Sequence, residues 1–207
     1  TKKTKNKIFY ISPKLVQYCI FPSKYCDYTQ FNSSTLHPHA GQDRGVFKED
    51  PLGNIKINNS DWDYKPGVLF TKLLEYEALK NHYRGKENWT KSKFALRNVN
   101  YIKKSNQVRG FTDYNIFLSE REKQIDKLFK SILKKGISPV DITKDKKLFI
   151  DNISLAITKD NKLYFNNRGH HRLSIAKILG LKEIPVKITV TKSIKNLKSF
   201  ISSINNC

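Results

Sequence analysis

The sequence predicts an α+β fold built mainly by its C-terminal half, and three observations carry that expectation. Short apolar runs at 151–157, Leu163–Phe165 and Ile184–Ile188 have strand character. Beside them lie two apolar sets at helical spacing: Ile125, Leu128, Phe129, Ile132 and Leu133, then Leu173, Ile175, Ala176, Ile178 and Leu179. The first hundred residues break instead into short runs punctuated by Asn, Ser, Pro and Gly. At 207 residues and 38% hydrophobic content the chain can bury one sizeable core with an elaboration. The boundary falls between an N-terminal elaboration, 1–112, and a core domain, 113–207.

In chain order, the basic segment Thr1–Lys7 is not followed by a signal-like apolar stretch, and no run nears the roughly eighteen residues of a membrane span. The default expectation is a cytoplasmic protein with no membrane partner; a virion or a virus-infected cell is the alternative setting. Met is absent even at position 1, which points to a processed chain or a fragment. Residues 8–60 read as extended segments and loops. Within them His37 and His39 sit two apart like ligands on a strand, but with no third ligand nearby no metal is assigned. Cys19, Cys26 and Cys207 are odd in number and read as reduced thiols. Asp61 and Asp63 flank Trp62 and are expected to cap the following turn, with a pocket-lining carboxylate pair as the alternative. Trp62 and Trp89 are expected to pack in a core or hinge. A helix over about 68–84 follows from the spacing of Phe70, Leu73, Leu74, Glu77 and Ala78, with Gly85 as its stop.

The next helix is expected from Ser119, which forms a Ser-x-x-Glu capping box with Glu122, to Gly136, followed by a strand opening at Pro139. The strand signals at 151–157 and Leu163–Phe165 then lead to Gly169, where a strand-to-helix junction calls for a positive φ or a close backbone approach. His170, His171 and Arg172 fall in the first turn of the ensuing helix, and Gly180 sits at its left-handed C-terminal cap. Helix-start N–H groups, a favourable dipole and a guanidinium fork together suit an anion. The plainer alternative is a surface helix start, which places cations at the unfavourable end of the dipole.

The order Gly169-His170-His171-Arg172, Leu179-Gly180, Ile184-Pro185-Val186 resembles the second conserved box of the ParB/sulfiredoxin superfamily, and the helix ending at Gly136 before Pro139 is similar to its upstream box. The resemblance covers about half the chain, residues 113 to 190. It implies a mixed sheet with flanking helices, and a nucleotide or phosphorylated ligand, ATP or CTP with Mg2+. The catalytic Cys of sulfiredoxins is replaced by His170, which argues against sulfinate reduction. The Glu-Arg-Arg of CTP-switching partition proteins is replaced by His-His-Arg. The free serine kinases of the superfamily are similar to this chain in Gly-His-His-Arg, but Arg168 stands where they carry an acidic residue. Those kinases place a functional carboxylate upstream, where Glu120 and Glu122 lie; Glu120 is the candidate base, since capping accounts for Glu122. The upstream order of Trp-Asp loop, helix and Trp89 looks like uncharacterised ParB-domain proteins of microbes and their viruses.

The formal charge of +21 and a pI near 9.8 raise nucleic acid as a partner, although lysines are spread along the whole chain, as codon bias would also produce. The densest basic segments are 123–135, 144–147 and 187–198, with Lys134, Lys135 and Lys187 as candidate nucleic-acid contacts. The leading expectation is a nucleotide- or phosphate-binding domain, with phosphotransferase or NTPase chemistry open to it. Gly169, His170, His171, Arg172 and Arg168 would form the phosphate site, and His170, His171 and Glu120 would handle protons. The alternatives are a non-catalytic DNA- or polyanion-binding protein and a degenerate structural member of the fold, for instance in a viral particle or assembly.

Overall fold

The computed structural model describes residues 8–20, 54–59, 62–63, 68–105, 107, 111–139, 152–166 and 168–205. Their fold is α+β, as the sequence indicates, with a mixed sheet and five helices. At the centre lie β5 (Ile153–Ile157) and β7 (Ile184–Thr191), paired in parallel, with Ile153 opposite Val186 and Ile157 opposite Thr191. Every residue of both strands is buried, which explains why they read as nearly continuous β-branched and apolar runs rather than alternating ones. β6 (Leu163–Phe165) folds back antiparallel on β5 through a turn in which Asn161 takes φ 60°.

The N-terminal residues do more than pack on this core, because they extend its sheet. β1 (Ile8–Ile11) pairs antiparallel with the first half of β7, and β3 (Lys56–Ile57) pairs parallel with its last residues. On the other side β2 (Val16–Cys19) runs parallel to β6, and β4 (Val68–Leu69) is antiparallel to β2. The order is therefore β1, β7, β5, β6, β2, β4, so residues on both sides of the expected 112/113 boundary share one hydrogen-bonded sheet.

Five helices accompany the sheet: α1 (Leu74–Tyr83), α2 (Lys93–Ser105), α3 (Tyr114–Lys135), α4 (His170–Leu179) and α5 (Ile194–Asn205). Leu173 and Ala176 of α4, with Leu197 and Phe200 of α5, join Ile153, Leu155, Val186 and Ile188 in the main core. Burial of each large apolar side chain there contributes about 1.5–3 kcal/mol. A second cluster gathers Leu74 and Leu79 of α1, Trp89, Phe94 of α2 and Ile125 of α3, with Ile178 of α4 against it. Trp89 is 1% exposed and Trp62 packs beside Tyr164 and Val190, so both tryptophans serve the core. Tyr83 locks α1 to α3, since its hydroxyl donates to Asp126 at 2.8 Å while its ring stacks on Phe129 at 3.6 Å.

Two expectations need correction. The helix expected over 68–84 is shorter: β4 and a single 3-10 turn, Phe70–Lys72, precede α1. α3 starts at Tyr114, not after Ser119; Asp113 is its cap, accepting from the Ile116 N–H at 2.9 Å, and Ser119 lies inside the helix donating to the Ile116 carbonyl. The turn after Asp63 lies outside the described residues, but the partners of Asp63 elsewhere are clear. Its buried carboxylate accepts from the Lys159 N–H at 2.6 Å and pairs with Lys192 at 2.9 Å, tying the N-terminal segment to the end of β5 and β7. Asp61, His37, His39, Cys26, Cys207 and the 144–147 lysines lie outside the described residues.

Removing one partner of a buried ion pair strands the other charge, so Asp63→Ala is expected to cost roughly 3 kcal/mol in urea unfolding, and the double variant with Lys192→Met markedly less than the sum of the singles.

A second expectation concerns alkaline pH. Lys177 of α4 donates to the Pro13 carbonyl at 2.6 Å, and burial, opposed by the neighbouring Cys19, lowers its amine to about 8. The unfolded chain then holds the extra proton between pH 8 and its ordinary value near 10.5, and stability rises with pH across that window. Tyr83 acts oppositely: burial, the Asp126 hydrogen bond and the Asp126 and Glu122 charges raise its phenol, so above pH 10 the native state keeps a proton the unfolded chain loses and stability falls. The unfolding free energy measured against pH is expected to climb from 8 towards 10 and decline beyond. Lys177→Met should flatten the climb, which solvent screening limits to on the order of 1 kcal/mol, and Tyr83→Phe should soften the decline.

Candidate anion-binding site at the start of α4

The turn before α4 is a direct continuation of the β5–β6 hairpin. The Asn166 N–H donates to the Ser154 carbonyl at 2.9 Å, the Ser154 N–H to the Arg168 carbonyl at 3.1 Å, and the Arg168 N–H to the Ser154 hydroxyl at 3.2 Å. Gly169 then turns the chain at φ 84°, ψ 19° and accepts the first helical bond from Leu173. A Cβ on Gly169 would stand 2.7 Å from the Ile153 Cα and 3.0 Å from its nitrogen. Both reasons for glycine therefore hold at once, positive φ and close approach of two backbones. Gly169 also brings no side chain to cap the first turn, whose N–H groups have no partner within the helix.

Side chains from four helices converge on that turn. The rings of His170 and His171 lie 3.9 Å apart, and His171 is 9% exposed. Arg121 of α3 places Nη2 3.3 Å from His171 Nδ1 and 3.4 Å from its Nε2, while Nη1 donates to Gln124 at 2.9 Å. A guanidinium only donates, so a hydrogen bond between the two requires an imidazole nitrogen that accepts. Phe94 of α2 presents its ring edgewise to His171 at 6.5 Å, and the Arg97 guanidinium sits 5.0 Å above Phe94. Arg97 in turn pairs at 2.9 Å with Glu75 of α1, a carboxylate side chain only 1% exposed. Ser174, one turn into α4 on the side of the two histidines, is fully buried and its hydroxyl has no hydrogen-bond partner among the described residues.

Neither family models, curated proteins nor solved structures match this chain. The site is accordingly read from its own geometry.

Gly169, His170, His171 and Arg172 stand together, with Arg172 partly exposed in the same first turn. Arg168 is exposed on the turn itself. Glu120 is adjacent in sequence to Arg121 but engaged on the outside of α3, where it pairs with Lys123 at 2.8 Å. Lys134 and Lys135 are exposed in the last turn of α3, about 20 Å along the helix from Arg121, and lie outside this cluster. Lys187 is a correction. It sits in mid-β7 between β1 and β5, opposite Ser154, and is 0% exposed, so it cannot touch nucleic acid. No group of three or more His, Cys, Asp or Glu is placed to hold a metal among the described residues.

Sequence reading did not reach Arg121, Phe94, Arg97, Glu75 or Ser174. The first four lie 50 to 96 residues before His171 and meet it only through helix packing; a local motif search has no access to them.

The close approach at Gly169 yields a paired expectation. Gly169→Ala meets backbone that cannot step aside and is expected to lose at least about 2 kcal/mol, whereas Gly180→Ala, at φ 65° with open space around it, should lose only about 1 kcal/mol. Urea midpoints of the two variants would separate the contact from the dihedral; equal losses would mean the Ile153 contact carries no weight.

Proposed function

We propose that this chain binds a phosphorylated ligand, a nucleotide in the leading case, at the start of α4. The observation that carries the reading is the gathering of Arg121, His170, His171 and Arg172 at the positive end of a helix dipole. Like-signed groups at that end are unfavourable by themselves and become favourable when an anion of charge near −2 shares them. The resemblance to ParB-like domains, several of which use the same turn for nucleotide phosphates, supports the same conclusion.

Phosphoryl transfer or nucleotide hydrolysis is the chemistry this turn suits. Arg121 and Arg172 would take up charge on the transferred group, and a neutral His171 would accept a proton from the attacking hydroxyl or water. Magnesium would enter on the nucleotide's own phosphates, as it does where one or two carboxylates suffice. Glu75 is the buried carboxylate of the cluster, but Arg97 holds it; Glu120 is the exposed one and Lys123 holds that. A second reading, polyanion binding without chemistry, draws on the chain's +21 charge at a different surface.

Calorimetric titration with ATP, ADP, CTP and GTP in the presence of Mg2+ tests the proposal. Saturable binding by the wild-type chain is expected, with Arg121→Ala and Arg172→Ala each weakening it about 10- to 100-fold, the worth of one charged hydrogen bond. A folded wild-type protein that binds none of the four, and no inorganic phosphate, would overturn it.

A further inference from the structure

The outer face of α3 carries an uninterrupted row of lysines. Lys123, Lys127, Lys130 and Lys134 recur at intervals of four, three and four residues, and all are exposed. At 3.6 residues per turn they fall within about 60° of one another around the helix, and about 180° from the buried Ile125 and Ile132. The row is about 16 Å long with neighbours about 4.5 to 6 Å apart along the axis. Of the acidic residues in α3, only Glu120 meets the row, at Lys123; Asp126 is turned to α1, where it holds Tyr83 and His82. The row points away from Arg121 and so is separate from the α4 site.

We propose that this face of α3 docks sequence-independently on the phosphate backbone of a nucleic-acid duplex. A straight, evenly spaced line of point charges matches a polymer of evenly spaced phosphates; a compact anion would need convergent donors, and these do not converge. The row contains no aromatic side chain on which bases could stack, which favours a duplex over a single strand. An anionic membrane fits less well, because a surface-bound helix inserts a continuous apolar face, whereas α3 buries Phe117, Ile125 and Ile132 in the core and leaves Tyr114, Ile116 and Leu133 exposed only near its two ends. The chain's +21 charge adds long-range attraction, and the row supplies the place where it is used.

The test is fluorescence anisotropy of a labelled 20-base-pair DNA duplex with the full chain over a salt series. Three proteins are compared: wild type, a quadruple Lys→Gln variant at 123, 127, 130 and 134, and a variant of equal net charge with Lys14, Lys86, Lys182 and Lys195, all exposed, changed to Gln. The row variant is expected to lose about 3 to 4 units from the slope of log K against log salt, and tenfold or more in affinity near 50 mM salt, while the control loses far less. Equal losses in both variants would mean diffuse charge and overturn the proposal. So would an absence of duplex binding by a folded wild-type chain, or a wild-type preference for vesicles of anionic phospholipid over the duplex. Arg172→Ala should bind DNA like the wild type, which keeps this result distinct from that of the α4 site.

Discussion

The backbone contact between Gly169 and Ile153 decides where α4 begins, and with it where the candidate site lies. β5 is held on one side by β6 and on the other by β7, so Ile153 has no freedom to retreat. α4 can begin only where a residue without a Cβ lets it begin, 2.7 Å of prospective Cβ distance being inside any real contact. From that start, Leu173 and Ala176 reach the sheet, and Lys177 reaches back to the Pro13 carbonyl at 2.6 Å. With the helix pinned at both ends, His171 must face α2 and α3, and the cluster with Arg121 and Phe94 follows from helix packing rather than from any motif.

What the sequence made legible was whatever is written in consecutive residues. The strand at Leu163–Phe165, the glycine turn, the first turn of α4 and its Gly180 cap all depend on neighbours within a few positions. α2 and α5 were missed although each has a local start signal: Ser92 accepts from the Ala95 N–H at 3.2 Å, and Ser193 accepts from the Asn196 N–H at 3.1 Å. The error at α3 is the converse. Ser119-x-x-Glu122 has the form of a capping box, but Asp113 offers an equally good cap six residues earlier, and Phe117 needs the additional turns to enter the cluster with Ile102 and Phe111. Tertiary burial chose between two caps that local chemistry ranks alike.

Lys187 shows the same limit for charge. In Ile-Pro-Val-Lys-Ile a lone lysine reads as the solvent side of a half-buried strand. β1 and β5 flank it, however, and the face it shares with Ser154 is covered, so the lysine is interior. Polar groups run through this layer: the Asn166 amide donates to Thr189 at 2.8 Å, and Thr189 donates to the Leu155 carbonyl at 3.1 Å. Strand order, not composition, determined which of the 39 basic residues are available to a partner.

The same distinction governs the α4 site, where position turns ordinary surface residues into a functional liability. Two like charges at about 4 Å cost roughly 1 kcal/mol in water and about 4 kcal/mol near a protein surface, and a cation at a helix N-terminus costs a further 0.3–1 kcal/mol. Against a total stability of about 5–15 kcal/mol these are large penalties. A neutral His171 beside Arg121 would avoid part of them, and the Glu75 carboxylate offsets Arg97. Under the proposed function an anion would relieve more of them, and binding and folding would be linked: a phosphate held at this turn would stabilise the arrangement of α1 to α4 by RT ln(1 + L/Kd), where L is the free ligand concentration. With Gly169 fixed by the Ile153 contact, a helix start built for packing alone would have been better served by Glu in the first turn than by His, His and Arg.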